Sequence, residues 1–130
     1  MSELKVGDSV PELHETPDKY LPHRYAGASG DFIPIHIDPE FAKQVGLPGN
    51  ILHGLYMMAL VARANTALAD GDPKALKRLA VEFRGMGAPE VEIVVSGEVT
   101  GVDGDRVTVD TVARQGDKRV IRNAVAEVEL

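Results

Sequence analysis

Between Leu52 and Ala69 the chain runs through Leu, Met, Ala, Val and Tyr with few interruptions, and this stretch constrains the fold more than any other. Strong helix formers dominate it, so it reads as a helix roughly 27 Å long at about 1.5 Å per residue. Its first three turns carry no strongly polar face, and a helix apolar on all sides must be surrounded by protein. A bilayer is not the expected surrounding. A span needs roughly 20 predominantly apolar residues, whereas the most apolar part, Ile51 to Ala62, contains His53 and Gly54 and stops at Arg63. The segment is expected to be a buried core helix, ended by Asp70-Gly71-Asp72-Pro73.

After it the period of the pattern changes to two. Leu79, Val81 and Phe83 alternate with Arg78, Glu82 and Arg84. Val91, Ile93, Val95 and Val99 alternate with Glu92, Ser96, Glu98 and Thr100; Val107 and Val109 follow, then Ala124, Ala126, Val128 and Leu130. Each run reads as a strand with one buried and one wet face. Asp103-Gly104 is a strong hairpin signal and Gln115-Gly116-Asp117 a weaker one, so the sheet is mostly antiparallel. One enclosed helix followed by a twisted antiparallel meander has a natural solution, in which the sheet curls around the helix. That is the α+β hot dog fold. Its open edge favours pairing with a second copy, so a dimer is expected. The 130 residues suffice for one domain, 1–130, with one core.

The first half reads as loops and helices. Thr16-Pro17-Asp18 looks like a helix start, with Leu21, Tyr25 and Ala28 at helical spacing and Ser29-Gly30 as the stop. Pro22 sits awkwardly in that helix. Asp38-Pro39-Glu40 opens a second short helix, ended by Gly46. The start, Met1 to Val10, lacks the basic and apolar stretches of a signal peptide.

Composition narrows the chemistry. There is no cysteine, which removes a disulfide scaffold, a thiolate zinc site and a cysteine nucleophile, and is compatible with the cytoplasm. A net charge of −6 argues against nucleic acid as a partner. An anionic ligand would need a local basic patch, for which Lys74, Lys77, Arg78 and Arg84 are candidates, the alternative being an ordinary solvated face.

The run that carries chemistry is Tyr25-Ala-Gly-Ala-Ser-Gly-Asp31-Phe-Ile-Pro-Ile-His36-Ile-Asp38. Asp31 and His36 are wrongly spaced for one helix face, but a turning loop stiffened by Pro34 can bring them together. Phe32, Ile33, Ile35 and Ile37 surround them with apolar side chains, a setting in which acid–base exchange near neutral pH is plausible. Leu52-His53-Gly54 opens the long helix, whose first turn offers unpaired N–H groups beside a residue with no side chain. A carbonyl oxygen gaining negative charge could be held at the Gly54 amide. Elimination of water next to a carbonyl needs a base, an acid and an oxyanion donor, and Asp31, His36 and Gly54 supply them. His53 is either a helix-start residue or a second substrate contact. His14 and His23 read as surface or loop residues. A metal site built from His36, Asp38 and His53 is not expected, because the spacing fits no known zinc motif. No cofactor is called for.

The Tyr25–Asp38 run resembles the signature of the MaoC-like hydratase/dehydratase family: an aromatic, small residues, then Gly-Asp-x-Asn-Pro-aliphatic-His-x-Asp. Ile51-Leu52-His53-Gly54 looks like the same family's helix-start motif, and Phe83 and Pro89 echo a later strand and turn. Within the family the likeness is to small actinobacterial β-type subunits of (3R)-hydroxyacyl-ACP dehydratases and to single-domain (R)-specific enoyl-CoA hydratases. The resemblance implies a hot dog dimer, homomeric or paired with a related subunit. It would interconvert trans-2-enoyl and (3R)-3-hydroxyacyl thioesters of coenzyme A or acyl carrier protein. The family's catalytic pair falls on Asp31 and His36, and its oxyanion donor on Gly54. Three positions depart: Ile33 stands where the family has Asn, Met86 where it prefers Pro, and Glu90 where it prefers Gly. The alternatives are a non-catalytic or partner-dependent subunit, or an acyl-CoA-binding hot dog protein without chemistry.

Overall fold

The computed structural model describes residues 3–130, so Met1 and Ser2 of the expected 1–130 unit lie outside the described residues. In chain order the elements are β1 (Ser9–Glu15), α1 (Leu21–Ser29), α2 (Pro34–Ile37), α3 (Pro39–Gln44), α4 (Gly54–Thr66), β2 (Leu76–Phe83), β3 (Ile93–Asp103), β4 (Arg106–Gln115) and β5 (Lys118–Glu129). Two single 3₁₀ turns, Ala67–Ala69 and Pro73–Ala75, separate α4 from β2. The strands form one sheet in the order β1-β3-β4-β5-β2, and every neighbouring pair is antiparallel. Gly104 and Gly116 take positive φ at the two hairpins, where the sequence marks the turns. The sheet curls against α4, giving the hot dog arrangement.

The core has two parts. Around α4, Leu52, Met57, Leu60, Val61 and Ala64 meet Ile93, Val95, Ala113, Val120, Ile121 and Ala124 from β3, β4 and β5. Toward the other end of the sheet, Val10, Val99, Val107, Val109, Ala126 and Val128 pack together. From Ala124 to Val128 the inward residues of β5 alternate with period two, so a slip of one residue there would turn them to solvent; before it the alternation breaks, with Val120 and Ile121 both buried and Asn123 at φ 49°.

Several expectations need correction. Ser9–Glu15 is a strand rather than part of a helical and looped half. Pro11 lies in a register shift between Val10 and Leu13, and a proline is tolerated there because β1 is an edge strand. Helix α1 begins at Leu21, after a turn in which Asp18 Oδ1 accepts from the Tyr20 N–H. Pro22 is therefore in the first turn, where its missing N–H costs nothing. The loop around Pro34 contains the one-turn helix α2. Regular helix α4 covers Gly54–Thr66, shorter than the Leu52–Ala69 stretch.

The expected all-round burial of α4 is also corrected. Met57, Leu60, Val61, Ala64 and Asn65 are buried, but Leu55, Ala59 and Arg63, four apart and so on one side of the helix, are exposed. Phe83, expected on an inward face, is 50% exposed, because β2 is the other edge strand. Val91 lies before β3 and is likewise exposed.

Candidate active site

The site is made where α1, α2 and the start of α4 come together. Gly30 ends α1 in a left-handed conformation, φ 79°, with its N–H returned to the Ala26 carbonyl. This turns the chain so that Asp31 follows directly, and the Asp31 N–H bonds the Ser29 hydroxyl at 3.2 Å. Asp31 Oδ1 accepts from the Ile33 N–H at 3.3 Å, a turn that aspartate side chains favour. Pro34 then starts α2, whose His36 is 7% exposed.

The two side chains converge. His36 Nε2 and Asp31 Oδ2 are 4.0 Å apart. This exceeds a direct hydrogen bond but lets one water donate to both at ordinary lengths of about 2.8 Å. His36 Nδ1 lies 2.8 Å from the Ile51 carbonyl. A carbonyl only accepts, so Nδ1 donates to it, and Nε2 is the nitrogen turned toward Asp31.

Segment 50–53 holds the whole loop. The Asn50 amide donates to the Ile35 carbonyl at 3.1 Å, the Ile51 N–H to the same carbonyl at 3.2 Å, and the Leu52 N–H to the Gly87 carbonyl at 2.9 Å. His53 is 2% exposed. Its Nε2 donates to the Asp31 carbonyl at 3.1 Å, and its ring stacks on His36 with centroids 3.8 Å apart and planes 17° from parallel. Tyr25 packs on the same ring at 4.8 Å and Tyr56 packs on Tyr25 at 5.8 Å. The Tyr56 hydroxyl is held above its usual range by burial.

A cleft of about 270 Å³ opens beside this cluster, lined by Tyr25, Ser29, Asp31, His53, Gly54, Leu55 and Phe83. Asp31 forms part of its wall and His36 does not. Gly54 begins α4, and a Cβ added there would lie 3.1 Å from the Phe83 ring. The glycine thus lets the Phe83 ring pack close against the helix start, and both residues line the cleft.

The sequence pairs Asp31 with His36 and Gly54 with the helix start, and the structure brings all of these together with His53. It does not join Asp38 to them: Asp38 caps α3, its side chain accepting from the Glu40 and Phe41 N–H groups. His23 donates from the surface of α1 to the Ile37 carbonyl at 3.0 Å, and His14 sits on β1 between Glu12 and Glu92. Asp31, His36 and His53 present ligand-type atoms within 4.8 Å of one another. Two nearly parallel rings 3.8 Å apart nevertheless cannot both aim an in-plane lone pair at one ion about 2.0–2.1 Å away. The basic patch resolves into a solvated face, with Lys77 near Glu129 (3.7 Å), Arg78 near Glu127 (3.9 Å) and Arg84 near Glu82 (3.0 Å). What the sequence reading missed is the latch: Asn50 and the Ile51 carbonyl. A polar Asn directly after Pro48-Gly49 was its one visible signal.

Comparison with known proteins agrees with this picture. A sequence profile described as the MaoC like domain matches residues 8–122. The fatty acid synthase subunit beta of Schizosaccharomyces pombe is 36% identical over 109 residues, 81% of this chain and 5% of that protein. Peroxisomal enoyl-CoA hydratase 2 of Arabidopsis thaliana is 32% identical over 118 residues, 90% of this chain and 36% of that protein. A solved structure named MaoC-like dehydratase superposes with a TM-score of 0.90 at 33% identity, covering 98% of this chain and 41% of that one. The chain thus spans only a small part of the synthase subunit and about a third of the plant hydratase.

Proposed function

This chain belongs to the MaoC-like dehydratase family, and from that membership we propose that it is a hydro-lyase. In this reading it interconverts trans-2-enoyl and (3R)-3-hydroxyacyl thioesters through Asp31 and His36. The observation that carries the reading is the 4.0 Å separation of His36 Nε2 and Asp31 Oδ2 beside a cleft that Asp31 and Gly54 both line. In this reading Asp31 Oδ2 and His36 Nε2 both accept, so a shared water donates both of its hydrogens to the pair. Its oxygen lone pairs then point into the cleft. In hydration the oxygen bonds the β-carbon while the pair takes one water proton and delivers one to the α-carbon. The thioester oxygen, which gains charge as the double bond shifts, accepts from the Gly54 N–H. Elimination is the same path reversed, and one water is gained or lost with no proton left over.

The proposed thioester is one of coenzyme A or of acyl carrier protein, and the chemistry is the same for both. We take the 130 residues as one functional domain that works as a dimer. The compartment proposed is the cytoplasm, with which a cysteine-free sequence is compatible. Among the described residues no helix is long and apolar enough to cross a membrane.

The test is hydration of a short trans-2-enoyl-CoA, followed by loss of the absorbance of its conjugated enoyl thioester. Asp31→Asn and His36→Ala are each expected to lower the rate by about 10²–10⁴, the range for losing a positioned acid or base, with an unchanged circular dichroism spectrum. Wild-type rates in both variants would end the proposal. The uncovered side of α4 also favours a second reading, a subunit active only with a related partner. A chain inert alone and active after mixing with such a partner supports that version.

A further inference from the structure

His53 packs against His36 and Tyr25; it forms part of the cleft wall, but at 2% exposure only a small edge of it faces the cleft. Its Nε2 is engaged with the Asp31 carbonyl at 3.1 Å, and its Nδ1 is buried with no partner among the described residues. An unmatched buried nitrogen is a cost that an apolar ring of similar size would avoid. The use of an imidazole here therefore lies in the nitrogen that is bonded.

We infer that His53 is a positioning residue for the Asp31–His36 pair: its Nε2–H tethers the Asp31 main chain while its face sets the plane of the His36 ring. Two other bonds complete the arrangement. The Ile33 N–H holds Oδ1 of Asp31 at 3.3 Å, so Oδ2 is the oxygen that faces His36. The Ile51 carbonyl holds Nδ1 of His36, so the imidazole can neither flip nor change tautomer without losing that bond. Without the tether at the Asp31 carbonyl, residues 31–33 are free to swing and carry Oδ2 away from Nε2. The effect on rate rests on the hydratase reading, whereas the effect on loop order does not.

Three substitutions separate the tether from the stack. In His53→Gln the amide nitrogen reaches about as far as Nε2; in His53→Asn it stops near the position of Nδ1; His53→Phe keeps an aromatic face and has no donor. A misplacement of about 1 Å costs about 10²-fold in rate. His53→Asn and His53→Phe are therefore expected to lose ~10²-fold in kcat, while His53→Gln stays within ~10-fold of wild type. KM is expected to stay within ~3-fold in all three, because the residue acts through Asp31 and His36 rather than on substrate. Hydrogen exchange of peptides covering residues 31–36 is expected to be faster in the Asn and Phe variants and unchanged in the Gln variant.

The inference is overturned if Gln is as slow as Asn, if KM rises while kcat holds, or if exchange is the same in all variants. Should the Phe variant not fold, the Gln–Asn contrast decides. Should the wild-type chain hydrate no enoyl thioester, the functional proposal fails and the exchange contrast still judges the tether.

Discussion

The two carboxylate oxygens of Asp31 have separate duties. Oδ1 is held by the Ile33 N–H at 3.3 Å and Oδ2 faces His36 Nε2. The hydrogen bond at residue 33 comes from the main chain, and the Ile33 side chain is 54% exposed. The departure from the family's Asn therefore leaves the loop geometry intact. Ile33→Asn is expected to change kcat/KM by less than about 10-fold, under about 1.4 kcal/mol of barrier, and to leave the melting temperature within about 2 °C. A larger gain in rate would show that the isoleucine impairs the site.

Gly54 is constrained from the other side, by the Phe83 ring at 3.1 Å from a would-be Cβ. Phe83 is half exposed and can give by a few tenths of an ångström. Gly54→Ala is accordingly expected to fold with a stability change of about 1 kcal/mol or less and to lower kcat/KM. Gly54→Leu is expected to abolish turnover by filling the cleft. Phe83→Ala combined with Gly54→Ala should recover part of the loss, which a double-mutant cycle measures. At this scale the meeting of Asp31 with His36, and of Asp31 with Gly54 at the cleft, was legible because each belongs to a compact run of residue types. The latch was not, because it ends on the carbonyls of Asp31, Ile35 and Ile51, and every residue has a carbonyl.

Among elements, β2 to β5 could be read from period-two alternation and from glycines at the turns. Strand β1 could not. It is a seven-residue edge strand with a proline at its register shift, so its apolar residues, Val10 and Leu13, do not alternate cleanly. The four residues of α2 are too few to show a helical period. The same edge position gives β1 a pH-dependent fastening. His14 is raised above its ordinary 6.5, first by a side-chain hydrogen bond to Glu92 and then by one to Glu12. Glu92 precedes β3 and Glu12 lies on β1, so the charged imidazole ties the two strands. A folded-state value above the unfolded one stabilises while the histidine is protonated, so the contribution is fully present below about 6.5 and is lost as pH rises through the raised value. His14→Gln is expected to lower the melting temperature slightly at about pH 5.5, and by less as pH rises through the raised value. An effect that does not fall with rising pH would refute the assignment.

At the scale of the molecule, the sequence pattern of α4 asks for cover on all sides and one chain provides it on only part of the helix. Leu55 is 62% exposed and lies in line with Ala59 and Arg63, while β2 offers an open edge beside the exposed Phe83. A sequence shows that a surface must be buried without showing which chain buries it, which is why the helix could be recognised and the extent of its own sheet's cover could not. Sedimentation at micromolar concentration is expected to give twice the 14.0 kDa of the chain, and Ala59→Glu, placing a charge in the uncovered stripe, to shift the mass toward one chain. A monomeric wild type would transfer that cover to a different subunit.

The strap formed by residues 50–53 has a consequence for how such a protein can diversify. It fastens Asp31 and His36, it leads into α4, and its Leu52 is buried in the core. Any remodelling there disturbs chemistry and folding together. Leu55, Phe83 and Met86 are exposed and none of them bonds the strap, so changes at these positions leave the reacting groups where they are. Under the proposed reaction, selectivity for the substrate's tail can drift at the cleft-lining Leu55 and Phe83 while Asp31 and His36 stay fastened, and an engineer seeking a new substrate would begin there.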